Sequence, residues 1–338
     1  MSATDGPRAA IIGAGLMGRW HADAVRRIGG RVTVIVDPND AAREALGLRH
    51  PGAQLLADLD PELVRRHATA AHVCTPVSTH VGVMTSLIGA GLNVLVEKPF
   101  TESAETTEAV LSLAQRRGVI ACPVHQFLFQ DGVRQLLAWL PTMGPVRRVE
   151  FSTCSAGATG ADPASLDALI GEILPHPLAI IATLLRTRIG SAEWHVAHPS
   201  AGEFRAMTTL CGTLVDLAIS AHGRPTENVL RVMTDSGSAT ADLFHGYVLR
   251  RSGVVSRAAK VAQPFTVSMT TLRIATANLI RRAARREPAY PGLRRLVDEF
   301  YQATRIHSAP PISYESVIDV AQARDRLVRA TSVETPTG

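Results

Sequence analysis

Apolar and polar positions follow two different rhythms along this chain, and the change of rhythm divides it. In the first third, short and mostly apolar runs lie between amphipathic stretches. Arg8 to Ile12, Arg31 to Val36, Ala71 to Cys74, Leu92 to Glu97 and Val119 to Cys122 have strand length. Helical patterns separate them: a glycine-rich turn to about Ile28, Ala41 to Leu48, Pro61 to His67, Thr79 to Ala90 closed by Gly91, and Ser103 to Arg117 closed by Gly118. Strands apolar on both faces, alternating with helices, predict a parallel, doubly wound sheet.

From about Gly144 the pattern changes. Arg147 to Cys154, Ala192 to Ala197, Phe204 to Leu210, Val215 to Ala221, Val229 to Thr234 and Ala239 to Phe244 are short and bounded by polar residues. Asp235-Ser236-Gly237-Ser238 reads as a hairpin turn. This predicts a largely antiparallel sheet flanked by helices, with one face packed and one free for substrate or a partner subunit. Gly171 to Pro177 leads into an apolar helix ending near Leu185. In 266–286, Met269, Leu272, Ala275, Thr276, Leu279 and Ala283 share one helical face, with Arg273, Arg281, Arg282, Arg285 and Arg286 elsewhere. A core helix with a solvated basic end is the expected arrangement; contact with membrane lipid or an acidic partner is the sharper alternative. Leu293 to Ile306 and Ser313 to Ala330 read as helices. The expected division is an α/β domain over 1–123, an α+β domain over 124–330 and a flexible tail over 331–338. The last helix, about 313–330, is expected to pack back on the first domain.

A length of 338 residues suits two domains. With 46% hydrophobic residues but 4% aromatic, the core must be built from Ala, Val, Leu and Ile. The net charge of +5 is mildly basic, yet acids are spread throughout and no nucleic-acid-binding motif occurs, so nucleic acid is not an expected partner. Cys74, Cys122, Cys154 and Cys211 lie far apart without CxxC spacing, which argues against a zinc site or a disulfide framework; no metal is expected. Met1 to Pro7 is short and polar and runs straight into a strand, so no signal peptide is expected. No apolar stretch long enough to span a bilayer is expected. A reduced, cytoplasmic enzyme is the default.

Candidate chemistry begins at Gly13-Ala14-Gly15-Leu16-Met17-Gly18, between the first strand and the first helix. Gly13 permits the tight turn, Gly15 lets a pyrophosphate approach the backbone, and Gly18 lets the helix pack closely on the strand. The helix N-terminus at Leu16 and Met17 offers free N–H groups to the phosphates. Asp37 ends the second strand, where a carboxylate accepts hydrogen bonds from the adenosine ribose and repels a 2′-phosphate. NAD is therefore the expected cofactor, with NADP the alternative because Arg43 lies one helical turn away. The first domain reads as a Rossmann-type dinucleotide-binding domain.

Only two lysines occur against 33 arginines, and one of them is Lys98, directly after an apolar strand. The carboxyl ends of strands are where open α/β sheets bind ligands. An ammonium can be tuned to exchange a proton, which a guanidinium cannot.

Three pieces in order, Gly13 to His21 (with Arg19 and Trp20), Cys74-Thr75-Pro76 with His80 following, and Glu97-Lys98-Pro99, resemble the Gfo/Idh/MocA oxidoreductases. The resemblance covers essentially the whole chain, more loosely in the second domain. It implies that Lys98 lines the active site and polarises or protonates the reacting oxygen, with Glu97 beside it at the cofactor. It places Thr75, Pro76 and His80 near the pyrophosphate and nicotinamide ribose, and implies a cis peptide before Pro99. Val124 to Phe129 looks like the family's crossover into the substrate domain, which puts His125 and Gln126 at the substrate; Leu128 stands where the family often has Arg. Glu172 and His176 match the family's acid four residues before a histidine, while Ala179 replaces a second acid. Imidazole works as a base near neutral pH and a carboxylate can orient it. If the segment is helical, the spacing puts both on one face; Pro175 and Pro177 leave that geometry open.

The resemblance thus implies an NAD(P)-dependent dehydrogenase or reductase. It would move hydride to or from the carbinol or carbonyl carbon of a sugar, amino sugar, cyclitol or related natural-product intermediate. It also implies a homodimer or homotetramer paired through the antiparallel sheet. The alternatives are a redox-neutral enzyme with tightly bound NAD (epimerase, eliminase or glycosidase type), an imine or ketone reductase of secondary metabolism, and a non-catalytic NAD-dependent regulator. Retention of both Lys98 and His176 argues against the regulator.

Overall fold

The computed structural model describes residues 6–155, 160–253, 256–287 and 289–333. The chain divides into two compact units, Met1–His125 with Leu293–Ala321, and Gln126–Gly292 with Gln322–Gly338. The helix after Leu293 therefore groups with the first unit, where the sequence placed all of 124–330 in the second. Of the expected tail, 331–333 continue the last helix and 334–338 lie outside the described residues.

In the first unit, β1 (Arg8–Ile12), β2 (Arg31–Val36), β3 (Gln54–Leu56), β4 (Ala70–Val73), β5 (Asn93–Val96) and β6 (Ala121–Pro123) alternate with helices. The helices are α1 (Leu16–Arg27), α2 (Asp40–Gly47), α3 (Pro61–His67), α4 (Val77–Gly89) and α5 (Ala104–Arg117). The strands form one sheet in the order β3-β2-β1-β4-β5-β6, parallel throughout. The chain winds outward from β1 through β3, then resumes at β4 on the other side of β1. The carboxyl ends of β1 and β4 thus flank the point where the winding reverses, which is the ligand-binding position of such sheets. β3 spans three residues, too few to carry a hydrophobic period in the sequence. Caps set the helix starts: Asn39 accepts from the Ala42 amide, Asp60 from Leu63, and Ser103 forms a reciprocal capping box with Thr106.

The second unit contains α6 (Asp131–Trp139), β7 (Val146–Cys154), α7 (Pro163–Ile173), α8 (Pro175–Leu185), β8 (His195–Ser200), β9 (Glu203–Leu210), β10 (Thr213–Ser220), β11 (Glu227–Thr234), β12 (Gly237–Asp242), β13 (Tyr247–Ser252) and α9 (Arg257–Ala284). Its sheet runs β13-β12-β11-β7-β10-β9-β8. Every neighbouring pair is antiparallel except β7 with β10. Alternate residues of β9 are buried and exposed, so one face packs and the other is free. That free face is charged: Arg205 pairs with Asp216 at 2.7 Å, Arg148 with Glu150 at 2.7 Å, and Arg231 with Glu150 at 3.2 Å. Helices α10 (Leu293–Ile306) and α11 (Tyr314–Val333) follow. α10 packs on α1, and α11 passes from the first unit to the second at Ala321.

Two expectations are corrected. Leu174 stays helical between α7 and α8, and Pro175 and Pro177 occupy the first turn of α8, which needs no N–H donors. Pro163–Leu185 is consequently long and apolar enough to cross a membrane, against the sequence reading; its most apolar window is 61% buried inside the protein, as a core helix is. The apolar face of α9 is not in the core: Met269, Leu272 and Leu279 are exposed, and Asn278 is the buried residue of this helix.

Candidate active site

The turn after β1 is built as the glycine spacing requires. Gly13 has a φ of +98°, and a Cβ on it would meet the Cys74 carbonyl oxygen at 2.6 Å. A Cβ on Gly18 would meet the Gly13 carbonyl oxygen at 1.9 Å. Around Gly15 there is nothing within 4 Å of such a position. Two glycines are thus demanded by the protein's own packing, while the third borders open space at the N-terminus of α1. Gly15 caps that helix without a side chain, and Leu16 is exposed and Met17 half-buried beside it. Uncapped amides, a positive dipole end and open space fit a pyrophosphate.

Asp37 stands just past β2. Its carboxylate accepts from the Ala14 amide at 2.6 Å and from the Asn39 amide at 2.8 Å, so it touches the glycine turn itself. Arg43 is committed elsewhere: its guanidinium donates to the Asp37 carbonyl at 2.6 Å and pairs with Asp40. Arg43, the cation the sequence offered for a 2′-phosphate, is therefore already engaged.

Glu97 and Lys98 follow β5. Lys98 is half-buried and the Lys98–Pro99 peptide is cis. Glu97 is buried, and its carboxylate accepts from the Lys98 amide at 3.2 Å and from His21 Nε2 at 3.0 Å. His21 Nδ1 meets His72 Nδ1 at 2.8 Å, and His72 Nε2 meets the Tyr301 hydroxyl at 3.0 Å. With His21 neutral, His72 donates to it and Tyr301 donates to His72. With His21 protonated, both bonds reverse. Either arrangement leaves every ring nitrogen bonded. Burial above all, and then His21, holds His72 well below the ordinary imidazole range, so His72 is neutral.

His80 is buried and joins two loops. Its Nδ1 lies 3.0 Å from the Pro99 carbonyl oxygen and its Nε2 2.9 Å from the Thr75 carbonyl oxygen. Its ring sits between the Thr75-Pro76 and Lys98-Pro99 turns, and because both carbonyls are acceptors a neutral imidazole donates to one of them at a time. Thr75 itself accepts from the Thr79 hydroxyl at 2.7 Å. His125 closes the unit, buried, with its imidazole held down at about 4 by burial against the opposing charge of Glu97. Among the described residues, no group of three His, Cys, Asp or Glu side chains gathers to hold a metal ion. A cleft of about 390 Å³ lined by Asn93, Ile120 and Tyr314 opens at the amino ends of β5 and β6, the end of the sheet away from this chemistry.

In the second unit, His176 is buried in the first turn of α8 and stacks on Phe127 with centroids 4.4 Å apart. Glu172 lies one turn earlier, near the end of α7. Gln126 is buried, and its Oε1 has no hydrogen-bond partner among the described residues. The structure thus gathers Gly13, Gly15, Leu16, Met17, Gly18, Asp37, Thr75, Pro76, His80, Glu97, Lys98 and His125 in one unit and Gln126, Glu172 and His176 in the other. Sequence reasoning assigned no role to His21, His72, Tyr301 or Phe127. His72 carried a signal: a lone imidazole in a fully buried strand must be hydrogen-bonded.

A parallel sheet with a glycine turn at its switch point is the architecture of dinucleotide-binding Rossmann domains. Residues 7–125 match the Gfo/Idh/MocA oxidoreductase family, described by its NAD-binding Rossmann fold. The inositol 2-dehydrogenase of Rhodococcus erythropolis is 29% identical over 205 residues, 60% of this chain; the chain covers 58% of that enzyme's length. The UDP-N-acetylglucosamine 3-dehydrogenase of Acidithiobacillus ferrooxidans is 28% identical over 70% of this chain and 74% of its own. The solved WlbA dehydrogenase from Bordetella pertussis, in complex with NADH and UDP-GlcNAcA, superimposes with a TM-score of 0.77 at 14% identity, over 98% of this chain and 97% of its own.

Proposed function

We propose that this chain is an NAD-dependent dehydrogenase acting on a secondary alcohol of a sugar, amino sugar or cyclitol. One observation carries the reading. Lys98 stands half-buried at the carboxyl end of β5, its amide fixed by Glu97, in the same unit as a glycine turn shaped for a dinucleotide. Bound NAD supplies the hydride acceptor. The carbinol C–H bond breaks with its electron pair leaving as hydride, the C=O bond forms, and His176 takes the hydroxyl proton. The Lys98 ammonium donates a hydrogen bond to the oxygen as charge develops on it. Glu172 orients or tunes His176. The relatives' names, an inositol dehydrogenase and a sugar-nucleotide dehydrogenase, support the substrate class. A homodimer or homotetramer through the free face of the seven-stranded sheet and a cytoplasmic setting belong to the same reading; the four free cysteines suit a reducing compartment.

The test is NADH formation from inositol, sugar and sugar-nucleotide alcohols by wild type and Lys98→Arg. The variant keeps the charge but not the compact, titratable head. Turnover is expected to fall about 10²-fold or more, with NADH binding by fluorescence nearly unchanged. Wild-type turnover in Lys98→Arg rejects the role of Lys98, and a dehydrogenase reading fails if no such alcohol reduces NAD.

A further inference from the structure

α9 carries an apolar stripe that faces away from the protein. Val261, Phe265, Met269, Leu272, Leu279 and Ile280 are 61–78% exposed. At 3.6 residues per turn they fall within about 100° of arc and extend about 28 Å along the axis. The opposite side holds the helix to its own unit. Asn278 donates to the His245 carbonyl at 2.9 Å, Arg282 to the same oxygen at 3.0 Å, and Arg285 pairs with Asp131 at 2.8 Å. The stripe is therefore not the packing face, and a patch of this length on a soluble surface marks a contact with something else.

Charge selects what covers it. Arg257–Ala284 contains five basic residues, Arg257, Lys260, Arg273, Arg281 and Arg282, and no acid. Arg285 and Arg286 follow directly. Arg257, Lys260 and Arg273 form no ion pair among the described residues, and Arg273 borders the apolar arc. A second copy of this helix would bring cations against cations with no acid to answer them. An anionic lipid surface answers both features at once, taking the apolar side chains into the acyl boundary and the cations among its headgroups. α9 is not apolar enough to cross a membrane, so it would lie in the plane of the surface. We infer that α9 docks the protein peripherally on an anionic phospholipid membrane through this stripe and its flanking cations.

Flotation of the full chain with phosphatidylcholine vesicles, with and without one-third phosphatidylglycerol, tests this. Binding is expected on the anionic vesicles, at least tenfold weaker on neutral ones, and weakened by salt. Phe265→Glu with Leu272→Glu should abolish flotation without changing circular dichroism or thermal unfolding, because both side chains are exposed. Arg257→Glu, Lys260→Glu and Arg273→Glu together should lower affinity at least tenfold. The inference is overturned if wild type does not float with anionic vesicles, or if either variant floats like wild type. It is also overturned if the apolar variant halves the mass seen by light scattering while wild type ignores vesicles, since a second copy would then cover the stripe.

Discussion

Replacing Glu97 tests how the Lys98 backbone is held. Its carboxylate accepts from His21 at 3.0 Å and from the Lys98 amide at 3.2 Å, where His21 and His72 are fully buried. Glu97→Ala removes both bonds and leaves buried donors without partners. Two hydrogen bonds to a charged group, or one broken buried pair, amount to about 3–5 kcal/mol. Glu97→Gln differs because the chain of bonds can turn round. The amide oxygen takes the Lys98 N–H and the amide NH₂ donates to His21 Nε2. His21 then donates to His72, and His72 to the Tyr301 oxygen. Every group stays bonded, and only charge assistance is lost, about 1–2 kcal/mol. Urea unfolding of the whole chain, at unchanged m, reads the two variants against wild type. A gap of about 2 kcal/mol between them is expected. Turnover should fall at least tenfold in the Ala variant, with a smaller fall in the Gln variant. Equal destabilisation by Ala and Gln, or none by Ala, would refute the reasoning.

Gly15→Ala should leave unfolding unchanged, since nothing lies within 4 Å of the added carbon, yet weaken NADH binding at least tenfold as measured by fluorescence. Gly18→Ala should lose both, because its Cβ would meet a backbone oxygen at 1.9 Å. Asp37→Ala should weaken NADH binding at least tenfold and NADPH binding less, because it removes the ribose acceptor together with the charge that repels a 2′-phosphate; tighter binding of NADPH than NADH by wild type contradicts the role given to Asp37. Acid should destabilise the fold through His125, whose imidazole is held at about 4 against an ordinary 6.5. The unfolded chain takes up that proton first, so the stability is complete above pH 6.5 and is lost as pH falls to 4, by about 3 kcal/mol in total, and His72 acts in the same direction. Urea unfolding of His125→Asn should show a correspondingly smaller loss; an identical loss removes His125 from the account.

The first unit was legible in the sequence because its signals are local. β1 and β5 are apolar on both faces, and the chemistry of Gly15, Gly18 and Asp37 depends on neighbours within one βαβ unit. Local periodicity also predicted most strands of the second sheet. What escaped depends on partners far along the chain. His72 and Tyr301 are 229 positions apart and meet only when the helix that begins at Leu293 packs on the first unit. The resemblance put His80 near the cofactor, but only the packed chain sets its ring between the carbonyls of Thr75 and Pro99. The pattern of α9 names one apolar face, but periodicity cannot say whether that face meets the protein or the outside. Sequence by itself determined which residues share a strand, a turn or a helix face, because backbone geometry sets those spacings. Only the tertiary structure decided which faces were buried and which polar atoms found each other, because burial is a property of the whole packed chain.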